Sequence, residues 1–164
     1  MQILETPEQM REWSFAKRAA GRTIGVVPTM GALHEGHASL MRASVAENDV
    51  TILTIFVNPA QFAPHEAFDR YHRTWEADCA MATSIGVDAV YAPDTRNMYP
   101  AGYSTYVDVE NIKEGLCGGS RPHFFRGVAT VVTKLFHATV PDRAYFGQKD
   151  GQQATIIRRM ARYL

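Results

Sequence analysis

Short apolar runs alternate with helix-periodic segments along most of this 164-residue chain, and that alternation constrains its fold more than any other feature. Residues 23–27 read as a strand, 36–48 as a helix, 50–57 as a buried strand, and 68–85 as a helix with Tyr71, Trp75, Cys79 and Ala82 on one face. Residues 88–92 and, more briefly, 105–109 read as strands. Val128, Val131, Val132, Leu135 and Phe136 form a helical stripe, 144–146 reads as a strand, and a last helix carries Ile156, Ile157, Met160 and Leu164. Near the start, Thr6-Pro7-Glu8-Gln9 combines a Thr N-cap, Pro at the first helical position and Gln three after the cap, predicting a helix to about Ala20 that stops at Gly21. Strands separated by helices pair in parallel through crossovers, so the expected fold is α/β: one domain with a mostly parallel sheet and helices on both faces. The one long irregular stretch is 111–127, rich in glycine.

Charge and cysteine usage narrow the partners. Seventeen basic residues balance seventeen acidic ones with no basic stripe, which argues against nucleic acid or an anionic membrane as the main partner. Cys79 and Cys117 sit far apart in different patterns and read as reduced thiols of a cytoplasmic protein. No signal-peptide pattern opens the chain, and no apolar run reaches membrane-spanning length.

The functional signal concentrates at the first strand-to-helix turn, Val26-Val27-Pro28-Thr29-Met30-Gly31-Ala32-Leu33-His34-Glu35-Gly36-His37. An apolar run breaks at a proline and a glycine, then delivers two histidines three apart around a second glycine. Leu40, Met41, Ser44 and Val45 follow at helical spacing. A helix start aims backbone N–H groups and a partial positive charge at one spot, which suits a phosphate. Gly36 leaves room for a close approach, and His34 and His37 share one face of the first turn. Two imidazoles there can donate to oxygens that gain charge during attack on phosphorus. Taken alone, the tetrad also suits a helix entry with solvated histidines. A zinc site is disfavoured because no further Cys or His pair lies at ligand spacing.

Other chemistry-bearing residues fall where the strands are expected to end. Phe56-Val57-Asn58-Pro59-Ala60-Gln61-Phe62 offers amides, which bond hydroxyls or a carboxylate without adding charge. Tyr71-His72-Arg73-Thr74 and Asp78 begin a helix, and Gly118-Gly119-Ser120-Arg121-Pro122 precedes another. Gly147-Gln148-Lys149-Asp150-Gly151-Gln152-Gln153 joins the last strand to the last helix, with Lys149 able to reach phosphate and Asp150 able to accept from ribose hydroxyls. Individually these suit ordinary turns and surface pairs. Together they lie on one side of one sheet, where ligands of parallel sheets bind.

Pro-Thr-Met-Gly-Ala-Leu-His-x-Gly-His, Phe-Val-Asn-Pro-x-Gln-Phe and Gly-x-Lys-Asp-x-Gln-Gln resemble the pantothenate synthetase family. So do Tyr71-x-Arg73-Thr74, Arg121-Pro122 and the helix over 128–136, and the resemblance covers essentially the whole chain. It implies the Rossmann-like, nucleotidyltransferase-type fold of the HxGH superfamily and ATP-dependent ligation of pantoate to β-alanine through a pantoyl adenylate. ATP is then a substrate, with Mg²⁺ as cofactor. The resemblance also implies a homodimer, and a smaller C-terminal lid domain that residues 1–164 do not include.

By that resemblance, Met30, Gly31, Ala32, Leu33, His34, Glu35, Gly36 and His37, with Gly147, Gln148, Lys149 and Asp150, would line ATP. His34 and His37 would meet its phosphates, with His37 the proton donor, and Lys149 would neutralise charge. Gln61, Gln153, Asn58 and Arg121 would hold pantoate or β-alanine, and Asp78 would contact Mg²⁺. The chain departs from the family at His72, where Pro is usual, and at Gln148, where Glu is usual. It departs again at Phe124, in the place of a histidine. Two other readings are a folded pantoate-binding or dimerisation module without turnover, and another HxGH nucleotidyltransferase such as phosphopantetheine adenylyltransferase. The second of these has no pantoate for the Phe-Val-Asn-Pro-x-Gln-Phe block to bind.

Overall fold

A computed structural model describes residues 1–63, 68–70, 73–111, 123–148 and 151–164. Tyr71, His72, Cys117, the run 118–122 with Arg121, and Lys149 and Asp150 therefore lie outside the described residues.

The strands are β1 (Gln2–Leu4), β2 (Ile24–Thr29), β3 (Val50–Ile55), β4 (Ala89–Tyr91) and β5 (Arg143–Ala144). They form one sheet in the order β1-β4-β3-β2-β5, with every pairing parallel. The helices are α1 (Pro7–Ala19), α2 (Glu35–Glu47), α3 (Trp75–Ile85), the single turn α4 (Thr95–Met98), α5 (Phe124–Thr139) and α6 (Gly151–Tyr163). Alternate strand residues feed two separate cores. Ile24, Val26, Ile52 and Tyr91 pack with α1, α5 and α6, while Val27, Leu53 and Val90 pack with α2 and α3. The α/β reading with helices on both faces is what the structure shows.

The α1 start matches its sequence signal, since Thr6 Oγ1 accepts from Gln9 N at 3.2 Å and Gln9 Oε1 accepts from Thr6 N at 3.2 Å. Other elements differ from expectation for identifiable reasons. β2 runs through Pro28. Ile24 and Val26 carbonyls accept from Asp142 and Tyr145 on the β5 side, so Pro28 also faces that side, but β5 pairs only with Gly25 and Val26. The missing N–H of Pro28 thus falls where no strand needs it.

The helix expected over 68–85 starts at Trp75 instead, after a separate 3₁₀ turn at Phe68–Arg70. Its buried face carries Asp78 and Ala82, whereas Trp75 is 42% exposed. Residues 105–109 form no strand. Val107 N–H donates to Thr130 Oγ1 at 2.9 Å, a side chain taking the place of a partner strand. β1, only three residues long, is too short to show a period, and β5 is shifted to Arg143–Ala144.

Candidate active site

Strand order steps from β2 through β3 to β4 on one side and places β5 on the other, so β2 and β5 border the topological switch point of the sheet. In parallel sheets the carboxyl ends of such strands part and leave a crevice. Here the crevice is a cleft of about 500 Å³. One wall is Pro28, Thr29, Met30, Gly31, Ala32, His34 and His37; a second is Phe56, Asn58, Gln61 and Phe62; α5 supplies Phe124, Val128 and Val131; Phe146 and Gln153 close the far side. The fold thus collects His34, His37, Gln61 and Gln153 from segments as far apart as residues 34 and 153.

The 30–37 turn is held from within. Gly31 and Ala32 both take positive φ, 82° and 51°. The second is costly for a residue with a Cβ, about 1–2 kcal/mol. Asp78, 3% exposed, offsets that cost: Oδ2 accepts from Ala32 N at 3.0 Å and Oδ1 from Leu33 N at 2.9 Å. Thr74 Oγ1 also donates to Oδ1 at 3.0 Å, and Thr29 Oγ1 accepts from Gly31 N at 3.2 Å.

The histidines cap their own helix. His34 Nδ1 accepts from Gly36 N at 3.1 Å, and His37 Nδ1 accepts from His34 N at 3.3 Å. Their ring centroids lie 4.1 Å apart. With each Nδ1 accepting, each neutral ring carries its proton on Nε2, so the donor edge is the one away from the backbone. A Cβ on Gly36 would stand 2.8 Å from His34 Cε1, so the glycine makes room for the imidazole rather than for a ligand.

These bonds correct three expectations. The backbone amides of Gly31, Ala32, Leu33, His34 and Gly36 are already bonded within the turn, so the anion hole expected there is narrower than the sequence suggests, and both imidazoles line the cleft beside it. Asp78 fits a turn anchor better than a Mg²⁺ contact: three donors take three of its roughly four acceptor sites, it is buried, and it does not line the cleft. Among the described residues no group of three or more His, Cys, Asp or Glu could hold a metal. Asn58 lines the cleft but is 1% exposed and fully bonded: Nδ2 donates to Gln61 Oε1 and Gly127 O, and Oδ1 accepts from Ala60 N and Tyr99 Oη. An amide makes four such bonds, so none remains for a ligand.

Leu33, Glu35 and Gly36 do not line the cleft. Leu33 packs into the α2–α3 core. Glu35 pairs with Arg42 on the outer surface, and the Arg42 guanidinium holds its carboxyl below the usual range. Gly147 and Gln148 stand between β5 and α6, flanked by cleft residues Phe146 and Gln153. Burial, and after it the Asp78 charge, push the Cys79 thiol above its ordinary value. Tyr99, which bonds Asn58 from outside the cleft, escapes sequence reasoning; nothing local marks it.

Comparison with known proteins decides the family. A model for "Pantoate-beta-alanine ligase" matches residues 2–164. The chain belongs to the pantoate-beta-alanine ligase family. It is 58% identical over 164 residues to a pantothenate synthetase of Moorella thermoacetica, covering 100% of this chain and 58% of that protein. A pantothenate synthetase of Acidobacterium capsulatum is 61% identical over 143 residues, which is 87% of this chain and 48% of the relative.

Among solved structures, pantothenate synthetase from Thermus thermophilus superposes with a TM-score of 0.90 at 43% identity, over 99% of this chain and 57% of that one. The Francisella tularensis pantoate-beta-alanine ligase, solved with beta-gamma ATP and beta-alanine, gives 0.91 at 37% identity, over 99% and 62%. The chain therefore spans about half to three fifths of the length of these ligase relatives. Among the described residues, no helix is long and apolar enough to cross a membrane.

Proposed function

We propose that this chain supplies the pantoate pocket and the histidine side of the ATP site of a pantoate-β-alanine ligase acting in the cytoplasm as a homodimer. The observation that carries this reading is the cleft at the switch point, where one space holds two histidines whose Nδ1 atoms accept backbone N–H groups and two amides, Gln61 and Gln153. The Francisella relative, which binds beta-gamma ATP and beta-alanine, supports it.

In this reading a pantoate carboxylate oxygen attacks the α-phosphorus of ATP and pyrophosphate leaves. The β-alanine amine then attacks the acyl carbon of the adenylate, loses a proton and expels AMP. Both steps gather negative charge on oxygens, so donors fixed in advance matter more than a strong base. His37 Nε2–H is the proton donor to that charge and His34 Nε2–H meets the phosphates. Gln61 and Gln153 hold pantoate, Lys149 and Arg121 neutralise anionic oxygens, and Gly147 with Asp150 line the nucleotide. Mg²⁺ accompanies ATP, with no described residue assigned to it.

The lid domain that the family resemblance implies would exclude water over ATP. Residues 1–164 alone then bind pantoate but hold ATP weakly, because charge contacts open to water weaken several-fold. Pantoate-dependent release of pyrophosphate from ATP tests the assignment. Histidine at position 37 should be worth about 10²–10³ in rate by comparison with His37→Ala. A folded His37→Ala enzyme with undiminished release would overturn the role. Light scattering should give the mass of two chains, and a monomer would remove the dimer from this reading.

A further inference from the structure

Gln61 sits on a single 3₁₀ turn, Pro59–Gln61, pressed against α5. The approach is close enough that a Cβ on Gly127 would stand 2.3 Å from Ala60 O. Asn58 caps that turn, and its orientation is decided by two backbone groups of fixed polarity. Ala60 N–H can only donate, and it meets Oδ1 at 3.3 Å; Gly127 C=O can only accept, and it meets Nδ2 at 3.1 Å. The second Nδ2 proton therefore goes to Gln61 Oε1, at 3.0 Å. With its oxygen engaged, Gln61 turns Nε2 outward, 3.4 Å from Met30 Sδ on the cleft wall.

The remaining bond of this chain comes from Tyr99, whose hydroxyl donates to Asn58 Oδ1 at 2.8 Å. Tyr99 does not line the cleft. Its ring is fixed edge-on to Tyr103, with centroids 5.0 Å apart, and lies 6.3 Å from Phe56. Burial pushes its phenol well above the ordinary value, so the hydroxyl keeps its proton and remains a donor. A donor bonded to an amide oxygen polarises that amide and strengthens the bonds its N–H groups make.

We propose that Tyr99 is a positioning residue: through Asn58 it locks the Gln61 side chain with its NH₂ toward the cleft, so that the ligand atom met there must be a hydrogen-bond acceptor. The pocket thus selects a ligand presenting a carboxylate or an accepting oxygen at Gln61, and disfavours one presenting a donor. The use of pantoate as the probe rests on the function proposed above; the Tyr99–Asn58–Gln61 lock itself does not.

The test has an arm without ligand and an arm with it. In the ligand-free chain, side-chain amide exchange measured by NMR should be slow for the Asn58 Nδ2 protons and clearly faster in Tyr99→Phe. With ligand, Tyr99→Phe should bind pantoate roughly three- to tenfold more weakly, the effect of one net hydrogen bond. Gln61→Glu keeps an oxygen facing Asn58 and puts a charged acceptor where the cleft-facing NH₂ stood, so it should lose pantoate by more than about tenfold. That variant changes no core group and carries the test should Tyr99→Phe fail to fold.

Unaltered Asn58 exchange in a folded Tyr99→Phe chain, or full pantoate affinity in Gln61→Glu, would overturn the proposal. A wild-type chain that ignores pantoate would count against the proposed function instead, and the exchange arm would still decide the lock.

Discussion

Asp78 connects two segments about 45 residues apart, and its burial is explained by the two backbone N–H groups it receives. Replacing it with Asn puts an amide nitrogen where an acceptor is required. Asp78→Asn should cost roughly 1.5–3 kcal/mol in urea unfolding, the range for bonds to a charged acceptor. It should also speed hydrogen exchange at the Ala32 and Leu33 amides; unchanged protection there would contradict the role.

Gly36 makes a second prediction at this scale. In Gly36→Ala the new methyl meets the His34 ring, a side chain that can swing aside, so the fold should survive. If the proposed function holds, adenylation should still fall by about 10²-fold, since a shift of an ångström at a reacting group has that effect. Normal pyrophosphate release by Gly36→Ala would refute it. The histidine tetrad is legible in the sequence because its spacing is local. The satisfaction of its amides by Asp78, Thr29 and the imidazoles is not, since it depends on a contact across 45 residues and on ring rotamers.

Capping and anchoring hold the elements packed around the sheet that bears the cleft. Thr6→Ala removes the α1 cap and should lower stability by about 0.5–2 kcal/mol, read from the urea midpoint. β5 is only two residues long and is anchored by Asp142, whose carboxylate accepts from Ile24 N at 2.8 Å and pairs with Arg18 at 3.0 Å. The Ile24 N–H, and after it Arg18, hold that carboxyl below the usual range. Because the folded value lies below the unfolded one, this contribution is present above the unfolded value of about 3.9 and is lost as pH falls through the folded value.

Stability should therefore drop on acidification below about pH 4, and Asp142→Asn should be less stable near neutrality yet flatter across that limb. Equal acid limbs in the two proteins would contradict this. Long periodic elements such as α5 are legible from their stripes, whereas β1 and α4 are not, at three and four residues. Residues 105–109 look strand-like because Thr105, Tyr106, Val107 and Val109 are β-branched or aromatic, and only the structure shows Val107 bonded to the Thr130 side chain instead of a strand.

At the scale of the molecule, strand order does what no motif does alone. Placing β5 beside β2 brings Gln153 of α6 to the same cleft as the histidines of α2 and Gln61 after β3. Alternation in the sequence predicts the parallel sheet and its ligand-binding edge, but the side of β2 taken by β5 is a tertiary choice. If Gln61 and Gln153 build a pantoate site in this cleft, calorimetric titration of pantoate into the 164-residue chain should reveal it. The expected result is one saturable site per chain, with Gln61→Ala and Gln153→Ala each weakening pantoate by roughly 1–3 kcal/mol while changing ATP far less. Absence of binding, or equal losses for both ligands, would contradict it.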